Sequence, residues 1–167
     1  MAAGGLFAAS LAFVVPTPPA YLAGKEVLAA REALDFCLFR LLPRFPGVLL
    51  AYADLACSGP GSCIDDQLDV VFPYQVNAIL FNPAPGTVIA CQVNEQYAQH
   101  IALTAMGAFR VVVRSENISN GMRFNTKRKA WTANGQDLTR NAMLEVRVVK
   151  LVGQGLEWQI EGELVES

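Results

Sequence analysis

Residues 72–94, FPYQVNAILFNPAPGTVIACQVN, decide the fold. Apolar and polar residues alternate on both sides of a Pro/Gly segment, and this period of two predicts two β-strands. Pro83 and Pro85 lack the N–H group that a sheet ladder needs, whereas Gly86 accepts the positive φ of a sharp corner. The stretch therefore predicts a boundary between two small units that both contain β-structure.

The composition is unusually apolar for a chain of 167 residues, with 53% hydrophobic residues and a mean hydropathy of +0.31. Between Val70 and Val165, however, no apolar run approaches the ~20 residues that a helix needs to cross a bilayer. We therefore expect no membrane association, and we expect protein partners to cover the excess apolar surface. Residues 6–15, within the uncharged segment 1–23, resemble a signal-peptide core, but no basic residue precedes Lys25, which favours a buried first strand.

Charge is unevenly distributed along the chain. Residues 110–150 carry nine Lys and Arg residues against three acidic ones, a net charge of +6, within a chain whose net charge is −2. A basic block inside an otherwise acidic chain predicts a local contact with a polyanion.

The four cysteines, at positions 37, 57, 63 and 91, form no Cys-x-x-Cys pair. The single histidine, His100, cannot complete a tetrahedral zinc site of familiar spacing with them. We expect four reduced thiols and no metal, with Cys37 and Cys91 as small core residues. A bridge between Cys57 and Cys63 in an oxidising compartment is the alternative.

Residues 1–84 are predicted to form a small α/β unit. Its helix has apolar residues at helical spacing, and Pro43 and Pro46 cannot continue it. The segment 47–55 is apolar on both faces, so we expect it to be a central, buried strand. The expected elements are strands at 6–15, 47–55 and 68–81, and a helix at 25–42.

Residues 85–167 are predicted to form a five-stranded Greek-key barrel, an S1-like OB fold, because short strands with glycine-containing turns follow one another closely. The fold class is therefore α+β. Residues 115–141, between the third and fourth barrel strands, are expected to form a helix or a long loop. The expected strands are 87–94, 100–106, 109–114, 143–151 and 156–164.

The sharpest signal for a binding site is the block 122–131, MRFNTKRKAW. Cationic side chains follow a phosphate backbone, and an aromatic ring can offer its face to an unstacked base. Two arginines of the third barrel strand, four residues apart, point to one face of it. In the alternative interpretation the block is a solvated basic loop whose tryptophan fills the barrel core. The candidate RNA-binding residues are Arg110, Arg114, Arg123, Phe124, Lys127, Arg128, Lys129 and Trp131.

The sequence contains no credible catalytic constellation. His100 begins a strand beside apolar residues, which favours a structural histidine, and no phosphate-binding Gly-x-x-x-x-Gly-Lys-Ser/Thr motif occurs. The carboxylates of Asp65, Asp66 and Asp69 lack the Gly and the terminal Glu of a calcium loop, so a solvated turn is favoured. We expect no catalytic residue, no metal and no cofactor.

Several segments of both predicted units match the pattern of one protein family. In the first unit these are residues 18–22 (PPAYL) and 47–55 (GVLLAYADL). In the second they are residues 100–103 (HIAL), 108–113 (AFRVVV), 131–138 (WTANGQDL) and 160–164 (IEGEL). This pattern resembles the tip domain and OB domain of the larger stalk subunits of nuclear and archaeal RNA polymerases. Within the family, the barrel is most similar to the RNA polymerase I member.

The resemblance implies a non-catalytic stalk subunit of RNA polymerase I, located in the nucleus and nucleolus. It implies contacts with a smaller stalk subunit, polymerase core subunits, a transcription initiation factor and nascent single-stranded RNA. Gly59, Pro60 and Gly61 correspond to the tip region that docks on the polymerase core, with a simple turn as the alternative. A stalk subunit of RNA polymerase II or III and a free-standing OB-fold RNA-binding module are the alternative functions.

Overall fold

A computed structural model describes residues 4–64, 67–118 and 121–165. Contacts divide the chain into two compact units, one spanning Leu6–Asn82 and the other formed by the described parts of residues 1–5 and 83–167. We call them the sheet unit and the barrel unit. Asp65 and Asp66, considered above as cation ligands, lie outside the described residues.

The sheet unit is an antiparallel sheet with one helix on one face. The strand order is β1-β4-β2, and the short β3 also pairs with β4. A 3₁₀ turn, Pro19–Tyr21, lies between β1 and the helix. The elements are β1 Leu6–Thr17, α1 Glu26–Cys37, β2 Val48–Cys57, β3 Ser62–Cys63 and β4 Val70–Phe81.

The first half of the alternating stretch 72–94 lies in β4, the central strand of this sheet. Strand β4 pairs with β1 without interruption from Leu6 opposite Phe81 to Thr17 opposite Val70. Its even-numbered residues from Tyr74 to Leu80 are buried, while the odd-numbered residues between them are exposed. The buried face packs with Leu34 of α1. The period of two therefore separates a helix-covered face from an open one.

Two predictions for the sheet unit are wrong. Strand β2 lies at an edge of the sheet, and of its residues only Val48 and Leu49 are buried. The helix ends at Cys37 and not at residue 42, because Leu38 forms a bridge to Leu49 and the N–H of Phe39 donates to the Leu49 carbonyl. Pairing with β2 thus replaces the last helical turn.

The barrel unit contains a closed five-stranded barrel and a separate small sheet. The barrel order is β5-β6-β7-β12-β11, with β11 closing back on β5. All pairs are antiparallel except β7 with β12. The strands are β5 Val88–Gln96, β6 His100–Ala105, β7 Phe109–Arg114, β8 Met122–Asn125, β9 Ala130–Ala133, β10 Gln136–Asp137, β11 Met143–Gln154 and β12 Glu157–Leu164.

This barrel confirms the predicted OB-type architecture. Inward-facing residues alternate with exposed ones, so that the interior is filled by aliphatic side chains and one thiol. The fully buried members are Cys91, Val93, Ile101, Leu103, Ala105, Val111, Val113, Val146, Val148 and Ile160, each at most 1% exposed.

The segment between the third and fourth barrel strands differs from its prediction. In place of a helix or long loop, β8, β9 and β10 form a three-stranded antiparallel sheet. Its strands have only four, four and two residues, too few for a period to be visible in the sequence. Within the described residues, no helix has both the length and the apolar character needed to cross a membrane.

Candidate nucleic-acid interface

The hairpin between β8 and β9 presents three basic residues at its tip. The Asn125 side-chain oxygen accepts hydrogen bonds from the backbone N–H groups of Lys127 (3.0 Å) and Arg128 (3.3 Å). Lys129 closes the turn with a φ of 51°, in the left-handed region. All three basic side chains are exposed, and we call residues 127–129 the basic tip. This local geometry keeps the charges in solvent.

The three cations of the basic tip are not equivalent. The guanidinium of Arg128 forms an ion pair with Asp137 of β10 at 2.9 Å, and Asp137 also accepts a hydrogen bond from Thr132. The hydrogen bonds from Arg128 and Thr132 lower the pKa of Asp137. Among the described residues, neither Lys127 nor Lys129 pairs with an acidic side chain. The two lysines are therefore the charges of the tip that are available to a ligand.

Trp131 is buried and holds the small sheet against the barrel. Trp131 is only 6% exposed, and its indole N–H donates to the Tyr97 carbonyl at 2.9 Å. Its backbone N–H donates to the Gln96 side chain, which in turn donates to the Leu138 carbonyl. The half-buried Phe124 meets the indole edge-on, with centroids 5.6 Å apart. This burial favours the structural interpretation of Trp131 over a base-stacking one.

Arg110 and Arg114 lie exposed on the outer face of β7. The Arg114 guanidinium is 3.0 Å from the Glu161 carboxylate, and the Lys150 ammonium is 3.3 Å from the other oxygen of the same group. Glu161 is 7% exposed, and the hydrogen bond from Arg114, with a smaller contribution from Lys150, lowers its pKa. Arg110 forms no ion pair with the described residues. Arg123, on β8, is also exposed.

Tyr97 was not among the residues predicted from the sequence, and His100 was predicted to be structural. Their rings stack, with centroids 4.8 Å apart and 29° between the planes. Tyr97 is 44% exposed and its hydroxyl donates to the Glu95 carboxylate. That hydrogen bond raises the pKa of Tyr97, while the charge of Arg110 acts in the opposite direction. Only the folded loop brings the two rings together, so the spacing of the residues gives no such signal.

The loop that contains Gly59, Pro60 and Gly61 belongs to the sheet unit and is largely exposed. Its base is fixed, since the N–H of Ser58 donates to the Pro73 carbonyl at 2.9 Å. A Cβ on Gly61 would lie 2.7 Å from the Phe72 ring and 2.7 Å from a methyl group of Val70, so another residue there would require these side chains of β4 to move. Pro60, between the glycines, is exposed.

Metal-binding clusters are absent from the described part of the chain: no three His, Cys, Asp or Glu side chains there are placed to hold an ion. Cysteines 37, 57, 63 and 91 are free thiols. What the barrel unit offers to a ligand is a set of exposed cations and one exposed, fixed aromatic ring.

The fold and the site define the class of this protein. It is a chain of two units, in which a sheet with a helix on one face precedes, in the sequence, a closed OB-type barrel that carries exposed cations. No family profile matches the chain. It is similar to two proteins named DNA-directed RNA polymerase I subunit RPA43. The protein of Mus musculus is 30% identical over 96 residues, which cover 57% of this chain and 29% of the mouse protein. The protein of Danio rerio is 24% identical over 163 residues, which cover 89% of this chain and 41% of the zebrafish protein.

The chain thus spans less than half the length of either relative. Both relatives bear the name of an RNA polymerase I subunit, which confirms at low identity the resemblance predicted from the residues.

Proposed function

We propose that this protein is a non-catalytic stalk subunit of RNA polymerase I. The observation that carries the proposal is the similarity to a polymerase I subunit over 89% of the chain, which includes residues of both units. The OB-type barrel supports it, because such barrels commonly bind single-stranded nucleic acids and other polymers. In this role residues 1–84 form the tip domain and residues 85–167 the OB domain.

The proposed partners follow from this role. The tip domain anchors the stalk to the polymerase core through the loop of Gly59, Pro60 and Gly61, and a smaller stalk subunit packs against the protein. The complex supports recruitment of an initiation factor and acts in the nucleus and nucleolus. Partner contact accounts for exposed apolar side chains such as Val14 (64%), Phe36 (63%) and Leu68 (87%).

Gentle affinity purification from the native cell, followed by mass spectrometry, tests this proposal. Recovery of the large subunits of RNA polymerase I is expected. Recovery of the large subunits of polymerase II or III in their place would assign the protein to a different polymerase. Recovery of the protein alone with bound RNA would contradict the stalk role and favour a free-standing OB-fold module.

We further propose that the OB domain contacts nascent single-stranded RNA through its exposed cations. Four of these cations, Lys127, Lys129, Arg110 and Arg123, pair with no described acidic side chain, while Arg114 and Arg128 are exposed but each is paired with a carboxylate. Phosphate contacts release counterions, so the affinity depends on salt and hardly on sequence. Phe124 and Trp131 then support the fold of the basic tip.

Lys127→Gln combined with Lys129→Gln tests the phosphate contact. Because each lost contact to a single strand reduces the slope of log K against log salt by about 0.7, we expect the slope to fall by about 1.4. Fluorescence anisotropy with a labelled oligouridylate at several salt concentrations measures it. Lys25→Gln combined with Arg31→Gln, which removes two exposed charges from the sheet unit, is the matched control. An unchanged slope in the first variant would contradict this contact.

A further inference from the structure

The outer face of β6 and β7 carries an aromatic pair that the basic block does not include. Antiparallel pairing places His100 opposite Arg114, Ala102 opposite Val112 and Thr104 opposite Arg110. All six residues are on the side of the strands that faces away from the barrel core. The Tyr97 ring lies on His100 at one end of this face. The face is thus bordered by a ring pair and two arginines.

We propose that Tyr97, supported by His100, is the stacking platform for a base of a single-stranded RNA that crosses the outer face of β6 and β7. This inference rests on the RNA contact of the proposed function and assigns the site of base stacking. It differs from the sequence prediction, which placed stacking on Phe124 or Trp131.

Four interactions fix the platform before any ligand arrives. One face of the Tyr97 ring is covered by His100, and its hydroxyl is bonded to Glu95. Its N–H donates to the His100 carbonyl at 2.9 Å, and its own carbonyl accepts the indole N–H of Trp131. The ring nevertheless remains 44% exposed. Because the side chain is already ordered, little conformational entropy is lost when a base stacks on it.

Charged groups of both signs surround the platform. Glu161 is paired with Arg114 and Lys150, whereas Glu95 accepts a hydrogen bond from the neutral Tyr97 hydroxyl and keeps its negative charge. Arg110, which pairs with no described acidic side chain, is close enough to influence the Tyr97 hydroxyl. An exposed aromatic ring and cations on one surface are the combination that binds single strands, with the phosphates on the cations and a base on the ring.

The platform is also connected to the basic tip. Trp131 of β9, whose indole N–H donates to the Tyr97 carbonyl, belongs to the same hairpin as Lys127 and Lys129. Between the two ends of this face, the outward-facing residues are Ala102 and Val112, which are uncharged and half-buried. A strand of RNA can therefore place a base on Tyr97 while its phosphates meet cations of the barrel unit.

The test uses the full chain and separates the contribution of base stacking to RNA affinity from the contribution of charge. The probe is a fluorescein-labelled oligouridylate of about twelve nucleotides, a length within the site sizes of OB folds. Tyr97→Leu is expected to weaken its binding about 10-fold, since stacking on one aromatic ring contributes that much, and to leave the salt slope unchanged. Tyr97→Phe keeps the ring and should bind within about threefold of the unsubstituted protein. Circular dichroism checks that each variant is folded.

Photocrosslinking gives a readout that does not depend on a substitution. An oligonucleotide containing 5-iodouridine should crosslink to the peptide that contains Tyr97. Crosslinks confined to other peptides, or unchanged affinity in folded Tyr97→Leu, would overturn the platform.

Co-purification separates this inference from the proposed function. Tyr97→Leu should still recover the polymerase I large subunits, because stacking on RNA is not the anchor of the stalk. Loss of those subunits with unchanged RNA affinity would make Tyr97 a protein contact and overturn the platform. Tyr97-dependent RNA binding by a chain that never recovers a polymerase would support the platform and contradict the stalk role.

Discussion

Tyr74 is the largest fully buried side chain in the described structure, at 0% exposure. Its ring stacks on Phe13 with centroids 5.9 Å apart, yet its hydroxyl finds no hydrogen-bond partner among the described residues. Desolvation raises the pKa of this tyrosine. A buried hydroxyl without a partner costs free energy, because it loses its bonds to water and gains none.

Tyr74→Phe is therefore expected to leave the free energy of unfolding unchanged or to raise it by up to about 1 kcal/mol. Urea denaturation measures the change. Tyr52→Phe is the matched control, since the Tyr52 hydroxyl is bonded to Asp35 and its removal should destabilise the protein. A clear loss of stability in Tyr74→Phe would mean that the hydroxyl has a partner in solution.

Several individual residues could be assigned from the sequence alone. Cys37 and Cys91 were both predicted to be small core residues. Cys91 is 0% exposed, and burial raises the pKa of its thiol to about 12, whereas Cys37 is half-buried and packs against the core. The alternation in β4 identified its buried residues, because a period of two has only two possible faces. Tyr97 could not be assigned, since its partners come from loop geometry and from a residue 34 positions away.

Strand β12 requires a glycine at position 162. Gly162 pairs with Val148 on one side and with Val113 on the other, within the strand that joins β7 to β11. A Cβ there would lie 2.3 Å from a methyl group of Val146 and 2.8 Å from the Arg147 carbonyl oxygen. Strand β12 can therefore approach β11 this closely only with glycine at this position.

Gly162→Ala is expected to lower the free energy of unfolding by about 1–3 kcal/mol, because neighbouring strands must shift to admit the methyl group. Chemical denaturation followed by intrinsic tryptophan fluorescence provides the measurement. Gly121→Ala is the control, since a Cβ on Gly121 has no described neighbour within 4 Å. Equal stability of the two variants would show that β12 adapts without cost.

The sequence predicted which segments form strands more reliably than it predicted which strands lie side by side in a sheet. The barrel strands lie close to their expected positions because their alternation extends over six residues or more. The place of β2 at the edge was missed, since an apolar segment is compatible with either a centre or an edge position. Two bulges interrupt its pairing with β4, and Asp54 has a φ of 56°, so this edge is irregular and poorly suited to further pairing.

The stability of the whole molecule should depend on pH through Glu161, which joins β12 to Arg114 of β7 and Lys150 of β11. Arg114 and Lys150 lower the pKa of this carboxyl in the folded state, so the unfolded chain binds protons more readily. The contribution is therefore fully present above the ordinary glutamate pKa, about 4.3. It is lost as the pH falls through the lowered, folded-state pKa.

Glu161→Gln removes this contribution. We expect the variant to be less stable by about 1 kcal/mol near pH 7, a modest value because both cations are half exposed. The difference between the two proteins should shrink below about pH 4, where the unsubstituted carboxyl is protonated in the unfolded state. The midpoints of urea denaturation at about pH 7 and about pH 3.5, above and below the ordinary glutamate pKa, measure this difference in stability. A difference that stays constant with pH would exclude the ion pairs as its cause.

The uninterrupted pairing of β1 with β4 has a consequence for synthesis on the ribosome. The first strand of the sheet unit emerges early, but its partner, which ends at Phe81, is among the last parts of that unit to be translated. Until then an apolar segment of twelve residues, LFAASLAFVVPT, has no native strand beside it. Contacts between such distant parts of a chain close slowly and leave nascent polypeptide open to aggregation. The sheet unit should therefore engage chaperones during translation, and the barrel unit, whose strands β5 and β6 each pair with the next strand along the chain, should need them less.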